Sequence, residues 1–245
     1  MSMTATNVSD DFEYVGEELR LFAAARNWKN YFCKHLQAHL GNNVLEVGAG
    51  IGGTTAILCN RSFDRWLCLE PDARMTATLA DRMQNRELPA CCEVFHGTTK
   101  DLTETTFDTI LYMDVLEHIE DDRQELEQAA RLLSPGGRIV VLSPAYNWLY
   151  SPFDEAIGHF RRYSKGTLSA LTPPGTTLQR IKYLDSVGTI LSLSNRLVLR
   201  SRAPTASQIS IWDNYVVPVS KWIDPLLDFG FGKSILAVWS RTSTS

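Results

Sequence analysis

The sequence predicts an α/β fold, a parallel sheet with helices on both faces. Apolar segments, typical of strands that are buried on both faces, alternate along the chain with amphipathic segments of helical spacing. A glycine-rich turn follows the first of these strands and leads into a helix. The chain has 245 residues, of which 44% are hydrophobic, and this is enough material for one large domain core.

Seven segments have the apolar character of strands, and turn residues separate them. In chain order they are residues 43–50, 65–72, 91–97, the first part of 107–118, 137–145, 178–188 and 233–241. The run Pro135-Gly136-Gly137 predicts a sharp turn just before the fifth strand.

Segments with helical spacing lie before and between the strands. In chain order they are residues 16–40, 54–59, 73–87, 120–134, 191–201 and 211–229. Gly41 is the expected end of the first helix, and Ala203-Pro204 is expected to separate the last two. Residues 1–12 are predicted to be disordered.

Composition and charge exclude several classes of function. The net charge of −4 gives no overall attraction to nucleic acid or to anionic lipid. The five cysteines lie in or beside apolar segments, which predicts reduced thiols and a cytoplasmic protein. Because no CxxC pair occurs and the histidines are scattered, we expect no metal site. The polar N-terminus predicts no signal or transit peptide, and no uninterrupted apolar run reaches the roughly 18 residues of a membrane span.

The glycine-rich turn, Gly48 to Gly53, is the first candidate for a binding site. Its GxGxxG pattern allows a tight turn and a close approach of the backbone to a ligand, although a glycine turn without a ligand remains open. Glu70 ends the second strand about twenty residues further on, where an acid can accept hydrogen bonds from the ribose hydroxyls of an adenosine. Together they predict a nucleoside ligand at the carboxyl ends of the strands.

Glu46 indicates which nucleoside ligand is expected. A buried carboxylate without a partner is costly, and an anion at this position would repel the phosphates of a dinucleotide. S-adenosylmethionine instead presents a sulfonium and an ammonium group, which an anion at the strand end would stabilise. The structural alternative is a salt bridge between Glu46 and an arginine of a helix.

With VLEVGAGIGG, LCLEPD and FDTILYMDVLEH in this order and spacing, the chain resembles the class I S-adenosylmethionine-dependent methyltransferases. The segment GHFRRYSKGTL is similar to a stretch of small-molecule methyltransferases of the ubiquinone-biosynthesis type. The resemblance implies a Rossmann-like, seven-stranded, mostly parallel sheet whose last strand is antiparallel. It also implies a helical cap over the cofactor at 1–40, a methyltransferase domain at 41–245 and a helical insertion at 186–231 before the last strand.

The resemblance also implies a set of residues that contact S-adenosyl-L-methionine. By position in the motifs they are Glu46, Gly48, Ala49, Gly50, Gly52, Glu70, Pro71, Asp72, Thr98, Thr99, Met113, Asp114, Val115 and His118, with Arg26 and Trp28 from the N-terminal helix. In this set Arg26 could pair with the methionine carboxylate or lie on a solvated helix face. His118 could contact a ligand or hold local structure. Asp101, three residues beyond Thr98, is a further candidate for the adenine amino group.

The acceptor side is predicted at residues 146–163, which are dense in aromatic and ionisable side chains. The predicted substrate-binding residues are Tyr146, Trp148, Tyr150, Arg161 and Arg162. His159 is the predicted base, because imidazole ordinarily titrates near neutrality, and Tyr163 is the second catalytic candidate. The alternatives are that His159 fixes the loop through Asp154 or Glu155 and that both arginines form salt bridges.

Several functions remain open beside methylation of a small, partly hydrophobic molecule. One is a nicotinamide-dependent oxidoreductase, which Glu46 disfavours. A second is a module that binds the cofactor without turnover. A third is methylation of RNA or protein, disfavoured for RNA by the acidic balance and by YMDVLEH, which lacks the Asn/Asp-Pro-Pro-aromatic signature of amino-group methylation. The aromatic insertion 186–231 could be a lid over the acceptor or the surface of a homodimer.

Overall fold

A computed structural model describes residues 25–103, 105–194 and 205–242 of the chain. Within these ranges one sheet of seven strands has the order β3-β2-β1-β4-β5-β7-β6. The strands are β1 (Asn43–Val47), β2 (Arg65–Glu70), β3 (Cys92–His96), β4 (Phe107–Met113), β5 (Leu133–Pro144), β6 (Thr176–Leu184) and β7 (Ser234–Arg241). The predictions for 1–12, for 16–24 and for a break at 203–204 lie outside the described residues.

Helices cover both faces of this sheet. They are α1 (Arg26–Leu36), α2 (Thr55–Leu58), α3 (Ala73–Gln84), α4 (Asp122–Arg131), α5 (Pro152–Ala156), α6 (Lys165–Ser169), α7 (Ser186–Ser194), α8 (Ala206–Ile211) and α9 (Val217–Leu226), with a π-helical turn at Trp212–Val216 between the last two. Short 3₁₀ turns lie at Gln37–His39, Thr99–Asp101, Leu116–His118 and Asn147–Leu149.

The sheet confirms the predicted architecture. Strand β1 pairs in parallel with β2 and with β4, and β4 pairs in parallel with β5. Strand β7 is antiparallel to both β5 and β6. Separate apolar clusters lie on the two faces of the sheet, one around Trp66 and Leu36 and the other around Phe107 and Trp239. The central strands are therefore buried on both faces, which explains their near-continuous apolar sequence.

Several predicted boundaries were wrong, including that of the helix predicted at 191–201, which begins at Ser186 and whose residues 195–201 lie outside the described residues. Strand β5 begins at Leu133 and runs through the predicted turn, because Gly136 adopts a φ of +74° where the register with β4 shifts. Strand β6 ends at Leu184, where Asp185 takes a φ of +65°. The segment predicted as one helix at 211–229 is instead a continuous α–π–α run that already begins at Ala206.

The first helix and the insertion are packed together by buried carboxylates. Asp213 accepts hydrogen bonds from the backbone N–H groups of Asn27 (3.1 Å) and Trp28 (2.8 Å), and so caps the start of α1 from a distant part of the chain. The Tyr31 hydroxyl donates to Asp224 Oδ2 at 2.6 Å. The predicted cap and insertion therefore share one interface.

All five cysteines are free thiols. Among the described residues, no helix has both the length and the apolar character needed to cross a membrane.

Candidate active site

The glycine loop lies at the carboxyl end of β1 and is held against β2. The N–H groups of Gly48 and Ala49 both donate to the carbonyl of Leu69, at 2.8 and 3.1 Å. Gly48 has a φ of +65°, and a β-carbon there would come within 2.7 Å of the Val115 side chain. Only glycine fits this position, because the turn needs a left-handed residue and Val115 fills the remaining space.

Glu70 connects the loop to the end of β2. Its Oε2 accepts from the N–H of Gly50 (2.8 Å) and its Oε1 from the N–H of Asp72 (3.0 Å). Burial raises the pKa of this carboxyl group, while the two backbone donors oppose the shift. Each oxygen keeps a second lone pair, so the carboxylate can still accept hydrogen bonds from a ligand.

Glu46 is engaged by the core. It is 2% exposed, and its Oε2 accepts from the Thr55 hydroxyl (2.7 Å) and from the indole N–H of Trp66 (2.8 Å). Burial raises the pKa of Glu46 to about 7, and the hydrogen bonds and the charge of Lys29 oppose this rise. The partners are thus not an arginine, and they satisfy one carboxylate oxygen within the protein.

Lys29, which the sequence analysis missed, is the cation beside the loop. Its Nζ lies 3.1 Å from the point that a β-carbon on Gly53 would occupy. Burial lowers the pKa of Lys29, and the charges of Glu46 and Asp114 act in the opposite direction. By contrast Arg26, one helical turn earlier, is exposed. The signal in the sequence that could have identified Lys29 was its position one helical turn after Arg26.

Three other predicted cofactor contacts have partners within the protein. Trp28 is buried and packs on Trp212, with the ring centroids 5.7 Å apart. Asp72 caps α3 by accepting from the N–H groups of Arg74 and Met75. Pro71 presents its carbonyl to His96 Nε2 at 3.0 Å.

The two threonines after β3 are tied to the protein. Thr99 is buried, and its hydroxyl donates to Glu125 Oε2 at 2.9 Å. Thr98 forms a capping box with Asp101, whose Oδ2 accepts from the N–H and from the hydroxyl of Thr98, both at 2.8 Å. These hydroxyl protons are therefore not directed at the glycine loop.

Asp114 lies directly after β4, at the carboxyl edge of the sheet. It follows Met113, has a φ of +55° and is fixed by its N–H, which donates to the carbonyl of Leu142 at 2.8 Å. Solvent reaches its side chain although protein atoms surround it closely. Those surroundings raise the pKa of Asp114, and the charges of His159, Lys233 and Lys29 oppose the rise.

Asp154 organises the acceptor-side loop. Its carboxylate accepts two hydrogen bonds from Arg162, at 2.7 and 3.0 Å, and lies 2.9 Å from His159 Nδ1. It also accepts from the N–H and hydroxyl of Ser151. Burial favours the neutral acid, but the donors from His159 and Arg162 hold the pKa of Asp154 well below its usual range. The loop is therefore built around one buried ionised carboxylate.

The histidines lie together beside this loop. The rings of His118 and His159 meet edge to face, with centroids 4.5 Å apart. Solvent reaches part of the His118 ring, but the protein atoms packed around it, and then the charge of His159, lower its pKa to about 4. His159 Nε2 points away from Asp154 and lies 3.9 Å from Glu117 Oε1. Glu117 is a buried residue of this site that the sequence analysis left without a role.

The remaining acceptor candidates divide into an aromatic group and residues held by the protein. Tyr146 stacks on Trp148 with centroids 5.2 Å apart, and Trp148 is 47% exposed. Tyr150 donates to the carbonyl of His159 at 2.6 Å and so fixes the loop. Arg161 pairs with Asp122 at 2.6 Å and donates to the carbonyl of Glu120.

Tyr163 is placed away from the open part of the site. It is 1% exposed, and its hydroxyl donates to Asp122 Oδ2 at 2.8 Å. Burial and then Asp122 raise the pKa of Tyr163 above its usual value. The geometry therefore favours a structural role for Tyr163 over the predicted catalytic one.

Comparisons with known proteins agree with this geometry. The family model described as a methyltransferase domain matches residues 45–139. Demethylmenaquinone methyltransferase of Tropheryma whipplei (strain Twist) is 31% identical over 127 residues, which are 49% of this chain and 49% of that protein. Phosphoethanolamine N-methyltransferase 1 of Triticum aestivum is 30% identical over 110 residues, which are 45% of this chain and 22% of that protein. The chain thus spans less than half the length of either relative.

A solved structure shows the same fold. Geranyl diphosphate methyltransferase in complex with S-adenosylmethionine has a TM-score of 0.63 to this chain at 16% identity, with 93% of this chain and 91% of that chain covered. The matched domain, the sheet order and the glycine loop agree with one another. Residues 45–139 therefore match a methyltransferase domain, and the whole sheet has the fold of the solved methyltransferase.

Proposed function

We propose that this protein transfers a methyl group from S-adenosyl-L-methionine to an oxygen, nitrogen or carbon nucleophile of a small, partly hydrophobic molecule. One observation carries the proposal: charged residues of the glycine-loop side and of the acceptor loop both act on Asp114, at the carboxyl end of β4. Lys29 acts on this carboxylate from the glycine-loop side, while His159 and Arg162 act on it from the acceptor loop. A cofactor on one wall and an acceptor on the other would therefore have their reacting groups at the same place.

The residues on the glycine-loop wall fit this cofactor. A β-carbon on Gly50 would meet no atom within 4 Å, so there is open space beside the loop backbone. Glu70 retains lone pairs for ribose hydroxyls, and Lys29 offers an ammonium group for a carboxylate. We assign the ribose to Glu70 and the methionine carboxylate to Lys29, in place of Arg26.

Placement and exclusion of water supply most of the catalysis in this proposal. The bound cofactor supplies an electrophilic methyl group on a sulfonium. The protein holds the acceptor in line with that methyl group, which replaces the entropic cost of a bimolecular encounter. The wall of Tyr146, Trp148, Tyr183 and Phe231 offers an apolar surface for this purpose.

His159 is the residue that can take a proton from the acceptor. The bond between Nδ1 and Asp154 orients the ring, and in the tautomer with a proton on Nδ1 the lone pair lies on Nε2, on the side of Glu117. A base is needed only where the acceptor loses a proton as it is methylated. The substrate-binding roles of Tyr150, Arg161 and Arg162 become indirect here, because their hydrogen bonds hold the loop.

Label transfer tests the function directly. The protein is incubated with methyl-labelled S-adenosylmethionine and with separate metabolite, RNA and protein fractions. Label is expected in the metabolite fraction. Label confined to RNA or to protein would contradict a small acceptor, and cofactor binding without transfer to any fraction would indicate a non-catalytic module.

Glu70→Ala is expected to weaken S-adenosylmethionine binding by about 2 kcal/mol, or roughly thirtyfold. The variant removes the ribose acceptor and also the acceptor for the N–H of Gly50. Isothermal titration measures the affinity, and Glu93→Ala, an exposed acid in the neighbouring strand, is the control. Preferential binding of NAD by the wild-type protein would contradict the cofactor assignment.

Lys29→Met is expected to weaken S-adenosylmethionine binding by about tenfold to a hundredfold, because it removes a charge-assisted hydrogen bond to the carboxylate. Arg26→Met is the matched control, since Arg26 lies on the same helix but is exposed. Titration of both variants compares the two cations. A larger loss of affinity in Arg26→Met than in Lys29→Met would assign the methionine carboxylate to Arg26.

A further inference from the structure

We propose that Glu117, His118 and His159 bind a divalent transition-metal cation where the turn after β4 meets the acceptor-side loop. One ligand atom from each of the three side chains lies within 4.8 Å of the other two. The sequence analysis expected no metal because the histidines are scattered along the chain. The fold brings them together, since the 3₁₀ turn after β4 and the loop after α5 pack side by side.

Glu117 supplies the observation that points to a ligand. Its side chain is 0% exposed, and its Oε2 accepts from the Ser143 hydroxyl at 2.9 Å. Its Oε1 has no hydrogen-bond partner among the described residues, and His159 Nε2 is 3.9 Å away. A buried carboxylate oxygen without a partner is costly. A cation between Oε1 and Nε2 would remove that cost.

The second coordination sphere is also in place. Metal-bound histidines usually donate their other ring N–H to a carboxylate, which fixes the tautomer and the ring orientation. His159 Nδ1 has this contact with Asp154 at 2.9 Å, and Arg162 holds Asp154 through two hydrogen bonds. The His118 ring lies beside the backbone at Gly158, where a β-carbon would be 4.0 Å from Nδ1, and its exposure leaves a path from solvent.

The donor set indicates which cations fit. Two imidazole nitrogens and one carboxylate suit Mn²⁺, Fe²⁺, Co²⁺ or Zn²⁺ better than Mg²⁺ or Ca²⁺, which prefer oxygen ligands. Bonds of about 2.1 Å place two ligand atoms of a tetrahedral site roughly 3.4 Å apart. The observed separation of 3.9 Å between Glu117 Oε1 and His159 Nε2 needs only a small closure.

Cation binding stands independently of methyl transfer, but its consequence for the acceptor rests on the proposed function. With a cation on Nε2, His159 is a ligand and no longer a base. Three protein ligands leave coordination positions open, and a hydroxyl group bound there has a lowered pKa. The acceptor would then be a molecule that binds the cation through oxygen, which narrows the substrate class to hydroxyl-bearing compounds.

The test is metal titration of the chelator-treated, full-length protein. Mn²⁺ and Co²⁺ are added separately, with calorimetry for both cations and visible absorption for Co²⁺. We expect one cation per chain. Glu117→Gln and His118→Ala are each expected to weaken binding by about a hundredfold or more, and Asp154→Asn, in the second sphere, by about ten- to a hundredfold.

Two controls separate this site from other groups. His39→Ala removes a half-buried histidine far from the cluster. Cys91→Ser removes one sulfur from the cluster of Cys59, Cys91 and Cys92, whose three sulfurs also lie within 4.8 Å of one another. Both are expected to bind like the wild type. Because His118 is exposed, its variant is expected to stay folded, which thermal unfolding checks.

Three results would overturn the proposal. They are no binding of either cation at millimolar concentration, unchanged affinity in both Glu117→Gln and His118→Ala, and loss of binding in Cys91→Ser alone. Methyl transfer at full rate with chelator present would leave the proposed function intact and remove the role of the cation in it. Cation binding in a protein that transfers no methyl group would support the cation site and contradict the proposed function.

Discussion

Gly50→Val is expected to abolish measurable binding of S-adenosylmethionine while the protein stays folded. Gly50 has a φ of +57°, a conformation that a β-branched residue adopts only with strain. A β-carbon there would meet no protein atom within 4 Å, so the added side chain projects into the space that we assign to the cofactor. The added side chain therefore obstructs cofactor binding and leaves the packing of the core unchanged. Isothermal titration and thermal unfolding measure the two effects separately.

Gly175→Val is the matched control for this variant. Gly175 has a φ of +73°, and a β-carbon there also meets no atom within 4 Å, but it lies in an exposed turn before β6. Both variants should lose about 1–3 kcal/mol of unfolding free energy from backbone strain. Only Gly50→Val should lose the cofactor. Equal affinity in the two variants would mean that the glycine loop serves the fold alone.

His159→Ala is expected to lower turnover by about a hundredfold or more, with cofactor affinity nearly unchanged. The chelator-treated wild type is the reference, because no cation then occupies Nε2 and the imidazole can act as the base. His159→Gln tests the position further, because it keeps a polar side chain but cannot act as a base. Turnover of both variants is compared under single-turnover conditions.

The outcome of that comparison distinguishes two roles for the imidazole. Near-normal turnover in His159→Ala would remove His159 from the mechanism and leave placement of the acceptor alone. If the wild-type enzyme is inactive with chelator and Mn²⁺ or Co²⁺ restores its activity, the cation rather than the imidazole activates the acceptor. Asp154→Asn is not a substitute for these variants, because it also breaks the contact with Arg162.

The sequence predicted the sheet and the glycine-loop side of the site because both depend on local pattern. Continuous apolar strands followed by helices identify a parallel sheet, and parallel strands bring their carboxyl ends to one edge. The position of Glu70 about twenty residues beyond the loop follows from that geometry. Its contact with the N–H of Gly50 shows that the two motifs belong to one structure.

The acceptor side was only partly predictable because its side chains act through contacts with distant residues. His159 was predicted as a base, and the contact with Asp154 was only the alternative to that role, yet the structure contains this contact, while the Tyr163 hydroxyl is held by Asp122. The spacing between positions 122 and 163 does not predict this hydrogen bond, because the bond depends on how the loop after α5 packs against the sheet. In the sequence, Glu117 was likewise recognisable only as an acidic residue that follows a strand.

By itself the sequence determined the α/β class, the order of the motifs and the kind of ligand that a glycine loop and an acid at a strand end can hold. The tertiary structure decided which charges meet. It placed Lys29 rather than Arg26 beside the loop, hydrogen-bonded Glu46 to Thr55 and Trp66, and joined His118 to His159. The physical reason is that periodicity specifies which face of an element a side chain occupies. What lies opposite that face depends on the packing of elements that are remote in sequence.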